Sequence, residues 1–190
     1  CDLKTLDMLK SNPDITVSEI TGYGHYIYVM NVTQKPFDDV NVRSAIKYSM
    51  PRDEILEKVF LGHGTVGNDN PIAPTVKFAI DPTPKHTYDP AMAKELLDEA
   101  GFSKMQGGFR TSEAGERFSI EITTTAGNRV REQVAQVIQS QLRQVGIELR
   151  IKAEPPRIFS EALNRRAFSG LAMYAWVQRP QGVPRTTLHS

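Results

Sequence analysis

Residues 118–152 read FSIEITTTAGNRVREQVAQVIQSQLRQVGIELRIK, and the hydrophobic period changes twice along this stretch. Phe118, Ile120, Ile122 and Thr124 alternate with polar neighbours, the period of two that marks a strand with one buried face. After the turn at Gly127-Asn128, Val130, Val134, Val137, Ile138, Leu142 and Val145 recur at helical spacing. Gly146 ends that helix, and Ile147, Leu149 and Ile151 resume the alternation against Glu148, Arg150 and Lys152. Strand, helix and strand with tight connections make a βαβ unit, so the two strands are expected to run parallel through a right-handed crossover.

Working outward, Ile158, Phe159, Ala162 and Leu163 mark a further helix, and Phe168 to Val177 a last strand. Upstream, Asp89-Pro90 opens a helix that Gly101 closes, with Ala93, Leu96, Leu97 and Ala100 inward and Phe102 set to meet Leu97 across the cap. Asp38 or Asp39 caps a helix carrying Val42, Ala45, Ile46 and Ser49 inward. Pro51 starts another, with Ile55, Leu56, Val59 and Phe60 as its stripe and Gly62 as its stop. Leu3, Leu6 and Leu9 share a face of a short opening helix, and residues 15–20 and 25–31 read as two early strands. The expected fold class is therefore α/β, a mixed sheet with flanking helices containing the βαβ unit. Residues 62–88 are too long for a plain connector, and 105–117 read as a mobile turn.

The 190 residues suit one domain, with 39% hydrophobic and 24% charged residues. A formal net charge of +1 with scattered basic residues argues against nucleic acid and against an anionic membrane surface. No run of 18 apolar residues and no leader-like apolar segment is visible. The single cysteine, Cys1, excludes an internal disulfide and a paired-thiolate zinc site.

Motifs for catalysis are missing. His25, His63, His86 and His189 do not fall at metal-ligand spacing, so no metal and no cofactor is expected. Neither a G-x-S-x-G elbow nor a P-loop occurs, and Gly62-x-Gly64-x-x-Gly67 follows a helix rather than a strand. No catalytic residue is assigned.

The positive signal is aromatic. Tyr26 and Tyr28 share one face of an early strand, and Tyr174 and Trp176 one face of the last. Such rings are either sheet and core surface or a wall for a ligand of mixed character, whose orientation the hydroxyl and the indole N–H fix. Tyr174 and Trp176 lie where the chain leaves its strand. Gly127 and Asn128 stand at the strand-to-helix turn, where open α/β sheets bind ligands; Asn128 is either the helix cap or a ligand contact.

Four separated motifs resemble the dipeptide/oligopeptide-binding protein family, the family 5 extracytoplasmic solute-binding proteins of ABC importers. They are Pro36-Phe37-Asp38-Asp39-Val40-Asn41-Val42-Arg43, Tyr88-Asp89-Pro90 through Ala100-Gly101-Phe102, Thr124 to Asn128 with the block ending Gly146-Ile147-Glu148-Leu149, and Phe168-x-Gly170 through Tyr174-Ala175-Trp176. The similarity runs from about residue 30 to 177, in order. It implies one lobe of a type II periplasmic-binding-protein fold, with 1–177 as the second, inserted lobe and 178–190 as a segment leading toward a first lobe.

The resemblance further implies a periplasmic or extracytoplasmic protein, expected to be monomeric, that closes around a peptide or peptide-like solute by hinge motion and hands it to a membrane permease. Tyr174, Trp176 and Gln178 would line one wall, Gly127 and Asn128 would stand near it, and Tyr28 and Asn31 would complete the set. Peptide-binding members often carry an acidic residue just after the last strand, where this chain reads Val177-Gln178-Arg179-Pro180. Gln178 can hydrogen-bond a ligand but cannot neutralise an ammonium. A small-molecule hydrolase or transferase, and a sensor domain reusing the lobe, are the competing readings.

Overall fold

A computed structural model describes residues 3–177 apart from 23, 71, 73–76 and 78. The chain begins with a short 3-10 turn, Leu3–Thr5, and α1, Leu6–Lys10, of which only Leu6 is buried. Residues 15–20 form no strand: Ile15 and Ile20 are exposed, and no described segment pairs with them. Alternation there reflects composition without a partner to bury it. The first strand is β1, Gly24–Met30.

Three helices follow. In α2, Val40–Tyr48, the Asp39 carboxylate accepts from the Asn41 N–H at 2.7 Å, and Val42, Ala45 and Ile46 are sealed from solvent. Helix α3, Arg52–Phe60, buries Ile55 and ends at Leu61 in the left-handed conformation. Helix α4, Pro90–Glu99, has the predicted cap, with Asp89 accepting from Ala91 and Met92 N–H groups at 3.0 Å. The Phe102 N–H donates to the Leu97 carbonyl at 2.9 Å, and Phe102 stacks on Phe118 with centroids 4.2 Å apart. Ala93 and Leu97 pack against α2.

The segment read as a mobile turn is instead a hairpin. β2, Lys104–Gln106, pairs antiparallel with β3, Phe109–Thr111, around Gly107 and Gly108, both at positive φ. Arg110 anchors it. Its guanidinium is almost fully buried and donates to the Val145, Phe102 and Lys94 carbonyls, with Asp98 as its ion-pair partner. The hairpin is thereby tied to the ends of both neighbouring helices.

The central unit folds as expected: β4, Ser119–Thr125; α5, Arg129–Gln144; β5, Glu148–Glu154, with β4 and β5 parallel. α6, Pro156–Asn164, buries Phe159 but leaves Ile158 exposed, and β6 is Leu171–Val177. The sheet order is β1-β6-β4-β5, with β6 parallel to β4 and antiparallel to β1. The sheet is mixed and covered on both faces. One face carries Ile120, Ile122, Leu171 and Met173 against α2, α4 and α5; the other carries Ala172 and Tyr174 against Phe159 of α6 and Phe168.

Candidate ligand-binding site

Strand polarity decides what meets at the carboxyl ends of the parallel strands. β4, β5 and β6 all finish there, at Thr125, Glu154 and Val177. β1 runs the other way, so its first residues join the same edge: Gly24 opposes Val177, His25 opposes Trp176, and Tyr26 opposes Ala175. The edge therefore gathers the turn after β4, the start of β1 and the end of β6.

Tyr174 and Trp176 stand on the α6 face of β6, as a half-buried ladder with Phe159. Ring centroids are 6.3 Å apart from Phe159 to Tyr174 and 6.2 Å from Tyr174 to Trp176. Burial pushes the Tyr174 phenol above its ordinary pKa, so it remains a neutral donor. The Trp176 indole Nε1 is buried, and no described group accepts its hydrogen.

Gly127 and Asn128 lie at the turn between β4 and α5, with Gly127 at φ 78°. The Asn128 side-chain oxygen accepts from the Arg131 N–H at 3.1 Å, which makes it the helix cap. The Gly127 N–H donates to Glu132 Oε1 at 3.1 Å, and the Ala126 N–H to the Glu154 carbonyl at 2.8 Å. These amide donors are already engaged within the turn. The Asn128 side-chain nitrogen has no partner among the described residues.

Tyr28 and Asn31 are placed elsewhere. Tyr28 opposes Met173 and so projects from the other face of the sheet, against the main core, where burial holds its phenol far above the usual range. Tyr26 shares that face and sits 5.5 Å from Phe60. The two aromatic pairs therefore line opposite sides of the sheet. Asn31 follows the far end of β1, about 20 Å from the site by strand rise. There its amide donates to the Phe168 carbonyl, its oxygen accepts from Thr33, and its N–H bonds the Gly170 carbonyl. Asn31 thus ties β1 to the entry of β6. Gln178 lies outside the described residues.

Arg131, in the first turn of α5, is a residue that period and motif did not single out. Its Nη1 donates to Thr125 Oγ1 at 2.6 Å, and its guanidinium carbon lies 5.9 Å from the Tyr26 ring centre. Its only advance signal is a cation where a helix start disfavours one.

Residues 66–69 and 79–88 line a pocket of about 500 Å³ with the start of α3, Arg52, Asp69, His86 and Tyr88 among its lining. Asp69 accepts from Arg52 at 2.5 Å and meets His86 Nδ1 at 2.5 Å. His63 meets Glu19 at 2.6 Å. Among the described residues no helix is long and apolar enough to cross a membrane.

A mixed sheet with flanking helices on both faces and aromatic rings at its carboxyl edge is a lobe of a type II periplasmic-binding-protein fold. The chain belongs to the bacterial extracellular solute-binding proteins, family 5, whose middle region matches residues 2–188. It is 34% identical over 142 residues to the oligopeptide-binding protein AppA of Bacillus subtilis, covering 73% of this chain and 26% of that protein. It is 31% identical over 146 residues to the glutathione-binding protein GsiB of Pectobacterium atrosepticum, covering 77% and 26%. The structure of AppA from Bacillus subtilis in complex with a nonapeptide superposes with a TM-score of 0.80 at 24% identity, over 95% of this chain and 36% of that one. The chain thus spans about a quarter of the length of these two curated relatives. Members of this family are extracytoplasmic binding proteins that work with ABC transporters.

Proposed function

We propose that residues 1–177 are the second lobe of an extracytoplasmic solute-binding protein for peptides or peptide-like solutes, and that 178–190 lead toward a first lobe. The protein binds without turnover, acts as a monomer and delivers its ligand to an ABC permease. The observation that carries this reading is Trp176: a large aromatic ring at the end of the last strand, with a buried indole N–H lacking an acceptor. A buried donor left unpaired costs about 1–3 kcal/mol, and a ligand carbonyl arriving at this edge removes that cost. Tyr174 extends the apolar wall, and Asn128 offers a side-chain N–H at the same edge. The family resemblance adds Gln178, next in sequence after Val177, to the proposed ligand contacts, and Gly127 supplies the turn. The peptide class rests on relatives named for oligopeptides and for glutathione.

Closure explains why half a site is useful. A ligand touching both lobes only in the closed form shifts the population toward that form. The test is calorimetry of the full-length protein with a mixed tetrapeptide pool, comparing wild type with Trp176→Phe. Loss of the indole donor is expected to weaken binding roughly ten-fold, from an unpaired-acceptor cost of about 1–2 kcal/mol. Absence of peptide binding, or a variant that binds as well as wild type, overturns the reading.

A further inference from the structure

Among the described residues β5 is an outermost strand of the sheet, with β4 on one side and no strand on the other. The Glu148 N–H donates to the Phe118 carbonyl at 3.0 Å, and the Glu154 carbonyl accepts from the Ala126 N–H at 2.8 Å. Backbone groups alternate in direction along a strand. Glu148, Arg150, Lys152 and Glu154 therefore face β4, whereas Leu149, Ile151 and Ala153 turn theirs outward. The Gln139 side-chain amide donates to the Leu149 carbonyl at 2.7 Å, standing where the N–H of a further strand would stand. The N–H groups of Leu149, Ile151 and Ala153 and the carbonyls of Ile151 and Ala153 have no partner among the described residues.

A groove of about 670 Å³ runs beside this edge, lined by Gln136, Ser140 and Arg143 of α5 and by Phe109 of β3. The Phe109 ring centre lies 5.1 Å from the Arg117 guanidinium carbon and 5.7 Å from that of Arg143. Arg117 pairs with Glu148, but Arg143 and Arg150, both lining the groove, have no carboxylate partner among the described residues. Arg143 is about 22 Å along α5 from Asn128, so this surface is separate from the ligand edge. Free backbone groups beside a helix-lined groove suit an extended segment that adds as a strand. Charge selects the segment. Antiparallel pairing of two copies over the whole of β5 sets Glu148 against Glu154 and Arg150 against Lys152, like charges that destabilise it. Unpaired arginines instead favour carboxylates. We infer that the β5 edge docks an extended, acidic segment of a partner protein, laid along the α5 groove as a further strand.

The probe is an amidated octapeptide of four Glu and four Val with fluorescein at its amino end. It is added to the full-length protein with an excess of unlabelled tetrapeptides to fill the ligand cleft. Anisotropy measures affinity, and hydrogen exchange read by mass spectrometry locates the contact. The probe is expected to bind and to slow exchange at residues 149–153. A probe with Lys in place of Glu should bind roughly ten-fold more weakly, the effect of losing surface pairs and meeting like charge. The Glu probe N-methylated at every residue should not bind, because the strand donors are gone. Arg143→Glu should weaken the Glu probe roughly five-fold and strengthen the Lys probe, a gain that an unfolded lobe could not give. Failure of the Glu probe to bind overturns the inference. So does binding that leaves exchange at 149–153 unchanged, or equal affinity for the Glu and Lys probes. Undiminished binding of the N-methylated probe overturns strand addition.

Discussion

Gly170 offers a sharp test of how β6 is seated. It sits at φ 84°, just before the strand, and a Cβ there would lie 2.3 Å from the Glu121 carbonyl oxygen and 3.1 Å from the Glu121 nitrogen. Both atoms are main chain of β4, so no side chain can swing away. Reaching an ordinary contact distance needs a shift of about 1 Å in one of two paired strands. The left-handed backbone alone costs a Cβ-bearing residue about 1–2 kcal/mol. Adding strained pairing next to Ile122 and Leu171 brings Gly170→Ala to about 3–4 kcal/mol of destabilisation. Gly101 is the matched control: φ is 88°, and nothing lies within 4 Å of its would-be Cβ. Gly101→Ala should cost about 1 kcal/mol, the backbone effect alone. With a urea m-value of about 2 kcal/mol/M, the midpoints should fall by about 1.5–2 M and about 0.5 M respectively. Urea unfolding followed by circular dichroism measures both. Equal losses in the two variants would refute the close approach of β6 to β4.

Arg110→Met removes the donor to three carbonyls at the hairpin anchor, and should cost about 2–4 kcal/mol in the same unfolding assay; a loss below 1 kcal/mol would count against the anchor. At alkaline pH the tyrosines set the sign. The Tyr28, Tyr88 and Tyr174 phenols are all raised by burial, so the native state keeps protons that the unfolded chain releases near pH 10. Their contribution is intact below that pH and is lost as pH rises beyond it. Melting temperatures from pH 8 to 11 should therefore fall above pH 10, and less steeply in Tyr28→Phe; an unchanged slope in that variant would contradict its burial.

How far the sequence reached depended on which interaction fixed each element. The βαβ unit and α4 were legible because their determinants are local: a period of two or 3.6 residues, an Asp-Pro start and a glycine exit. Residues 104–111 were misread because β2 is wholly exposed and so shows no alternation, although Gly107-Gly108 carried the turn signature. What fixes that hairpin is Arg110, whose acceptors lie up to 35 residues away. Residues 15–20 made the opposite error, a strand-like composition with nothing to pair against. In the candidate site, Tyr174 and Trp176 were placed together correctly because residues two apart on a strand share a face. Tyr28 was grouped with them wrongly, because the face it shares depends on register across β1 and β6. One residue of register puts Tyr28 beside Met173 rather than Tyr174, and so on the other side of the sheet.

The same register explains why the proposed site is one edge and not a face. Thr124 and Met173 lock the middle of the sheet, through a hydroxyl donating to a strand carbonyl at 3.3 Å, and both faces there are packed with apolar side chains. At the carboxyl ends the strands run out, and Trp176 of β6 still carries a donor without an acceptor. The Trp176 indole is buried there without an acceptor, and so is the Arg131 Nε on the opposite, Tyr26 face of the sheet. Sheet interiors satisfy their polar groups because an unpaired one weighs against folding by about 1–3 kcal/mol. An unpaired indole at the end of β6 fits a surface whose complement arrives from outside the lobe, as proposed above. A ligand offering an acceptor to the indole relieves that cost. That contact strengthens as the site closes and water leaves, because a lower local dielectric favours paired donors as strongly as it penalises unpaired ones.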